Sequence, residues 1–153
     1  MRSRKKQKKM SITEKKYKKL ALQVSLTGLS FCCFDTLNKK ILSYNEVHFD
    51  TFHKATKIEE LFADAFSDFP ELKDTYDEIV VIHNNTLSTF VPTALFDENY
   101  LGSYLQYNTK VFETDFFAYD TIANYEMNTV YIPYVNINNF FIDQFGSFDY
   151  KHA

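Results

Sequence analysis

Between Leu20 and Leu26 the apolar side chains fall on alternate positions, with Ala21, Gln23 and Ser25 between them, the period of a strand with one buried face. A Thr27–Gly28 turn follows, where glycine is free to take positive φ, and Leu29 to Phe34 predicts a second strand. Asn38, Lys39 and Lys40 turn the chain into a third, Ile41 to Phe49. Turns this short join antiparallel neighbours, so the first three strands predict a meander. At Thr56 the period changes to that of a helix: Ile58, Leu61, Phe62, Ala65 and Phe66 form one stripe, and Thr56 with Glu59 makes a capping box. Pro70 suits the first turn of a short second helix carrying Glu71 and Leu72. The β-branched run Ile79 to Ile82 then predicts a central strand covered on both faces.

Asn84 to Thr86 is turn chemistry, Pro92 breaks the next segment, and Asp97 caps a short helix bearing Tyr100, Leu101, Tyr104 and Leu105. Val111 to Tyr119 and Met127 to Val135 predict two further strands. Asn136 then caps a last helix with Phe140, Phe141 and Phe145 inward and Gly146 as its C-cap, and a strand begins at Phe148 and is cut off at Ala153. Together these predict an α/β (α+β) chain: a mixed sheet of five or more strands, opening with an antiparallel three-stranded meander and flanked by helices on right-handed connections.

Composition narrows the class. The 153 residues are 45% hydrophobic and 24% charged, which fits one soluble domain and excludes a disordered or collagen-like chain. Sixteen Phe and eleven Tyr against three Gly and three Pro predict an interior packed with rings. No apolar run is long enough for a bilayer, no signal-peptide stretch follows the basic N-terminus, and two adjacent cysteines build no disulfide framework. A cytoplasmic, reducing setting and no membrane partner are the expectations.

Charge divides the chain in two. Residues 1–19 hold ten of the 17 basic residues and one of the 20 acids, a net +9, which leaves −12 on the remainder. The first 19 residues read as a solvated basic tail and residues 20–153 as a single domain. Such an arm attracts RNA or other polyanions, but it lacks interleaved aromatic rings, so nucleic acid is disfavoured as the partner. Initiation at Met10 would remove six of its cations.

Candidate chemistry is sparse. Cys32 and Cys33 point to opposite faces of a strand and read as small core residues, and His48, Asp50 and His53 match no standard metal spacing. Glu113 and Asp115 recur on one strand face, which solubility explains. No catalytic residue and no metal site are assigned. His83, Asn84 and Asn85 follow the central strand, where open α/β sheets gather ligands, and form a candidate strand-end polar site. The aromatic run Tyr131, Tyr134, Phe140, Phe141, Phe145, Phe148 and Tyr150 is the expected surface for a protein partner or for self-association.

Four stretches, LQVSLTGLSFCCFDTLNKKI, FDTFHKATKIEELFADAF, HNNTLSTFVPTALFDENYLGSYLQYNT and YIPYVNINNFFIDQFGSFDYKH, resemble the bacterial family catalogued as domain of unknown function 3822. The resemblance implies the ribonuclease-H-like half of an actin-like ATPase fold, and a chain that reads as an N-terminal half of its longer members. Actin-like ATPases place an acid two positions before the glycine of the first turn, where it positions a Mg²⁺-bound water. Here that place falls on Leu26, or on Ser25 with a shift of one. Ser25, Thr27, Gly28 and Ser30 remain as a candidate phosphate-binding turn. The resemblance thus implies a non-catalytic scaffold with no cofactor, the alternatives being a nucleotide-dependent enzyme that binds Mg-ATP weakly and needs the missing lobe, and an RNA-associated protein acting through the basic tail.

Overall fold

A computed structural model describes residues 15–49, 57–112 and 114–153. The tail before Lys15 and the Thr56 member of the capping box lie outside the described residues. The meander is present as β1 (Lys18–Ser25), β2 (Gly28–Asp35) and β3 (Lys40–His48), all antiparallel. β1 begins two residues before the expected Leu20, because its edge is held from outside: Asp77 N–H donates to the Lys18 carbonyl at 2.9 Å. The amphipathic stripe forms α1 (Ile58–Asp68), which leads through a single 3-10 turn at Pro70–Lys73 to β4 (Glu78–His83).

β4 lies parallel to β1, and β8 (Asp149–His152) lies parallel to β4, giving the five-stranded mixed sheet β3-β2-β1-β4-β8. Between β4 and β8 the chain builds a second, antiparallel sheet and one long helix. The second sheet has the order β5-β7-β6, from β5 (Ser88–Pro92), β6 (Ala118–Ile122) and β7 (Met127–Tyr131), with the short α2 (Leu101–Leu105) packed beside it. The long helix is α3 (Val135–Phe145).

Both connections, β3 to β4 through α1 and β4 to β8 through α3, step across the sheet in the same direction. Right-handed crossovers that step the same way put their helices on the same face. Accordingly Phe62, Ala65 and Phe66 of α1 and Ile137 and Phe141 of α3 share one core with Leu20, Leu22, Val24, Leu29, Phe31, Cys33 and Val81 of the sheet. Rings lock the two helices together: Phe66 meets Phe140 edge-on at 5.2 Å and Phe62 meets Phe141 at 5.7 Å. A smaller core of Val91, Leu105, Val130 and Ile132 sits under the second sheet.

Several expectations are corrected. Val111 to Tyr119 is not a strand: the Asp115 carboxylate accepts the Phe112 N–H at 2.8 Å and closes a turn there, so pairing begins only at Ala118. β7 stops at Tyr131, short of Val135, and Ser88–Pro92, expected to be broken by Pro92, pairs as β5 with that proline at its end. Asn136 does not cap α3, which starts two residues earlier than that cap would set, with Tyr134 at the N-cap, whereas Gly146 does close it at φ 80°. Gly28 does not have positive φ; a side chain there would collide with the Val47 carbonyl on β3, so close approach of strands is what demands glycine. The run Ile79 to Ile82 is not covered on both faces: Val81 is buried while Val80 and Ile82, pointing away from the helices, are only half-buried.

The aromatic run from Tyr131 to Tyr150 is also turned inward. Tyr131 and Phe141 are 1% and 0% exposed, and Tyr134, Phe140, Phe145, Phe148 and Tyr150 pack against the main core. The reason is the α1–α3 contact, which consumes the phenylalanines that a lone helix would expose. The apolar groove that remains beside α3, about 470 Å³, is lined by Phe116, Val135, Ile142, Phe148 and Tyr150.

Candidate functional site

The carboxyl end of β1 opens into a cleft of about 180 Å³. Alternation along each strand decides its lining. Leu22 and Val24 point to the helices, so Gln23 and Ser25 point out; on β2 Leu29 points in and Ser30 out. Register then sets Ser30 opposite Glu46 and Gly28 opposite His48 on β3, while the missing side chain of Gly28 leaves the hollow between Ser25 and His48. Asn84, just past β4, forms the remaining wall.

Ser25, Thr27, Gly28 and Ser30 are therefore gathered in one cleft with Asn84. Sequence reasoning missed Gln23 and Glu46 and weighed His48 only as a metal ligand, although the two-residue period on β3 that places Glu46 and His48 on one face was legible. The turn is closed on itself. Ser25 Oγ shares a hydrogen bond with Thr27 Oγ1 at 3.0 Å and accepts the Thr27 N–H at 3.2 Å, and the Thr27 carbonyl accepts the Phe49 N–H at 2.9 Å. Glu46, the carboxylate among the described lining residues, accepts the Tyr44 hydroxyl at 3.1 Å.

His83 and Asn85 do not join Asn84. His83 is fully buried on the helix side of the sheet, its Nδ1 accepting the Tyr134 N–H at 3.3 Å, which leaves Nε2 to carry the proton and donate to Asn138 Oδ1 at 2.8 Å. Burial pushes its pKa below the ordinary value, so the ring is a neutral structural link between β4 and α3. Asn85 spans the two sheets instead: its Nδ2 donates to the Ile132 carbonyl at 2.9 Å and its Oδ1 accepts the Leu87 N–H at 3.0 Å. Beside it the Asp120 carboxylate accepts the His152 N–H at 2.8 Å and the Tyr131 hydroxyl at 3.3 Å, tying β6 to β8.

The remaining sequence candidates are structural where they are described. Cys33 is buried with Sγ 3.1 Å from the Tyr76 hydroxyl, and burial raises the Cys32 thiol pKa, the opposite of activation. Asp50, His53 and Glu113 lie outside the described residues, among which no group of three His, Cys, Asp or Glu side chains gathers. No helix among them is long and apolar enough to cross a membrane.

A meander, a helix and two further parallel strands in the order 3-2-1-4-8 define an actin-like ATPase type of half-domain, and the comparisons agree. The chain is similar to a protein of Bacteroides thetaiotaomicron with an actin-like ATPase fold and unknown function, at 18% identity and a TM-score of 0.79, over 92% of this chain and 53% of that one. It is similar also to the cytoplasmic domain of EpsL, an inner-membrane component of the type II secretion system of Vibrio cholerae, at 12% identity and a TM-score of 0.52, over 89% of this chain and 57% of that one. The chain thus spans little more than half the length of these structures. Residues 7–153 match the family described as protein of unknown function (DUF3822), and the chain belongs to that family. No curated protein matches it.

The fold implies Mg-ATP, and the cleft does not fit it. Its volume is below the roughly 300 Å³ at which small-molecule pockets begin. None of the described residues lining it is Lys or Arg, and Glu46, spent on Tyr44, would repel phosphate.

Proposed function

We propose that this protein is a non-catalytic, partner-binding member of the actin-like ATPase fold. One observation supports the reading: the Ser25 and Thr27 hydroxyls and the Thr27 N–H of the first turn are engaged with one another. A phosphate loop needs those N–H groups free to face its ligand.

The test is nucleotide turnover and thermal shift with Mg-ATP. The expected result is no hydrolysis and no rise in Tm. Turnover that is lost in both Ser30→Ala and Asn84→Ala, with both variants still folded, would overturn it. Gly28 is unsuited to this test, since any side chain there strikes the Val47 carbonyl.

A further inference from the structure

The chain enters the second sheet through residues 84–87 and leaves it through residues 132–134, segments that are neither helix nor strand. The two segments lie side by side: the Leu87 carbonyl accepts the Ile132 N–H at 2.9 Å, and the Asn85 amide donates to the Ile132 carbonyl at 2.9 Å. Residues 88–131 build on a core of their own. Among the described residues, no side chain of the cluster around Val91, Leu105 and Val130 belongs also to the cluster under the five-stranded sheet. A charged tie crosses between the two parts away from these segments. Asp120 stands opposite Thr129, two residues further into the second sheet than Tyr131, and its Oδ2 reaches β8 to accept the His152 N–H at 2.8 Å. Tyr131, at the end of β7 beside the connecting segments, braces the carboxylate by donating its hydroxyl to Oδ1 at 3.3 Å. At the other end of the sheet, in the turn between β6 and β7, Tyr125 is 74% exposed.

We propose that residues 88–131 form a lobe that turns as one body on a hinge made of residues 84–87 and 132–134, with Asp120 as the latch that holds it against β8. Two parts with separate cores and a polar joint are free to move on each other, and short irregular segments are what absorb the change in φ and ψ. The latch is specific because it is charged: a carboxylate holds an N–H about twice as strongly as a neutral acceptor does. Losing it frees the His152 N–H, while the ladders of β5 and β6 with β7 keep their bonds and the small core keeps its packing. One such bond separates the latched from the turned position, a gap small enough for both to be populated.

The motion stands apart from the partner-binding reading, because it is read as a distance within the chain and not as nucleotide turnover. Nitroxide labels on Tyr125→Cys and Asp64→Cys, in the full chain with Cys32→Ala and with Cys33 buried, report the separation of the lobe from α1. Asp120→Ala should move the distribution toward a second distance, raising its share about tenfold, and Tyr131→Phe, which keeps the ring in place, should raise it less. Amide exchange along β7 and at Leu22 should match the parent in both variants. If Asp120→Ala does not fold, Tyr131→Phe alone decides. Unchanged distances in the folded variants would overturn the proposal. So would β7 amides that exchange faster in step with the second distance, since the lobe would then be melting and not turning.

Discussion

Asp77 holds the backbone of Tyr17 at the entrance to β1. Its carboxylate accepts the N–H groups of Lys16, Tyr17 and Lys18 at 2.8, 2.6 and 3.3 Å, and Tyr17 sits in the left-handed region at φ 57°. An L-residue resists that conformation by about 1–2 kcal/mol, so the turn depends on the acceptor that gathers its three donors. Asp77→Ala is expected to lower stability by about 1 kcal/mol and to speed amide exchange at residues 16–18 while sparing Leu22. Equal exchange at Lys18 in both proteins would refute this.

Gly28→Ala tests the close approach of β2 to β3. The added methyl meets the backbone carbonyl of Val47, which cannot move without shifting the strand. A loss of about 1–3 kcal/mol in denaturant unfolding is expected from this steric clash, whereas Gly146→Ala, where the methyl meets open space, should lose about 1–3 kcal/mol through backbone strain at φ 80° and ψ −64°.

Stability should fall on acidification through His83. The ring is neutral and buried, with its pKa below the unfolded value, so the unfolded chain binds the proton first. This contribution is complete above the unfolded pKa of about 6.5 and is lost as pH drops below it. A His83→Gln variant should show a flatter Tm profile between pH 7.5 and pH 5, and an unchanged slope would remove His83 as the cause. Asn138→Ala, which strips the Nε2–H of its acceptor, should cost about 1–3 kcal/mol at neutral pH.

The two sides of α3 should respond differently to truncation. Phe141 is fully buried between α1 and the sheet, and its replacement by Ala should cost about 3–5 kcal/mol. Its neighbour Ile142 is 51% exposed, and Ile142→Ala should stay within about 0.5 kcal/mol. Similar losses at both positions would mean that something covers the outer side of α3.

Local chemistry was enough for the elements whose cause is local. The alternation from Leu20 to Val24, the helical stripe through Phe62 and Phe66 and the Gly146 stop all follow from residue period and backbone preference, and all are present; Leu26 instead lies exposed in the turn after β1, and Asp97 caps a 3-10 turn at Glu98–Tyr100 rather than the helix that follows it. The grouping of Ser25, Thr27, Gly28 and Ser30 came instead from the family resemblance, through the place of the glycine in its first turn. Long-range contacts decided the rest. Whether Phe140 and Phe141 face water or α1 depends on a helix some 75 positions away in sequence, and whether His83 joins Asn84 depends on Asn138, 55 positions on. Val111 to Tyr119 has the composition of a strand but meets no partner until Ala118, because a strand exists only where another offers its edge. That α1 and α3 share one face of the sheet, likewise, is written in no single segment; it follows from two crossovers stepping the same way, which only the assembled topology reveals.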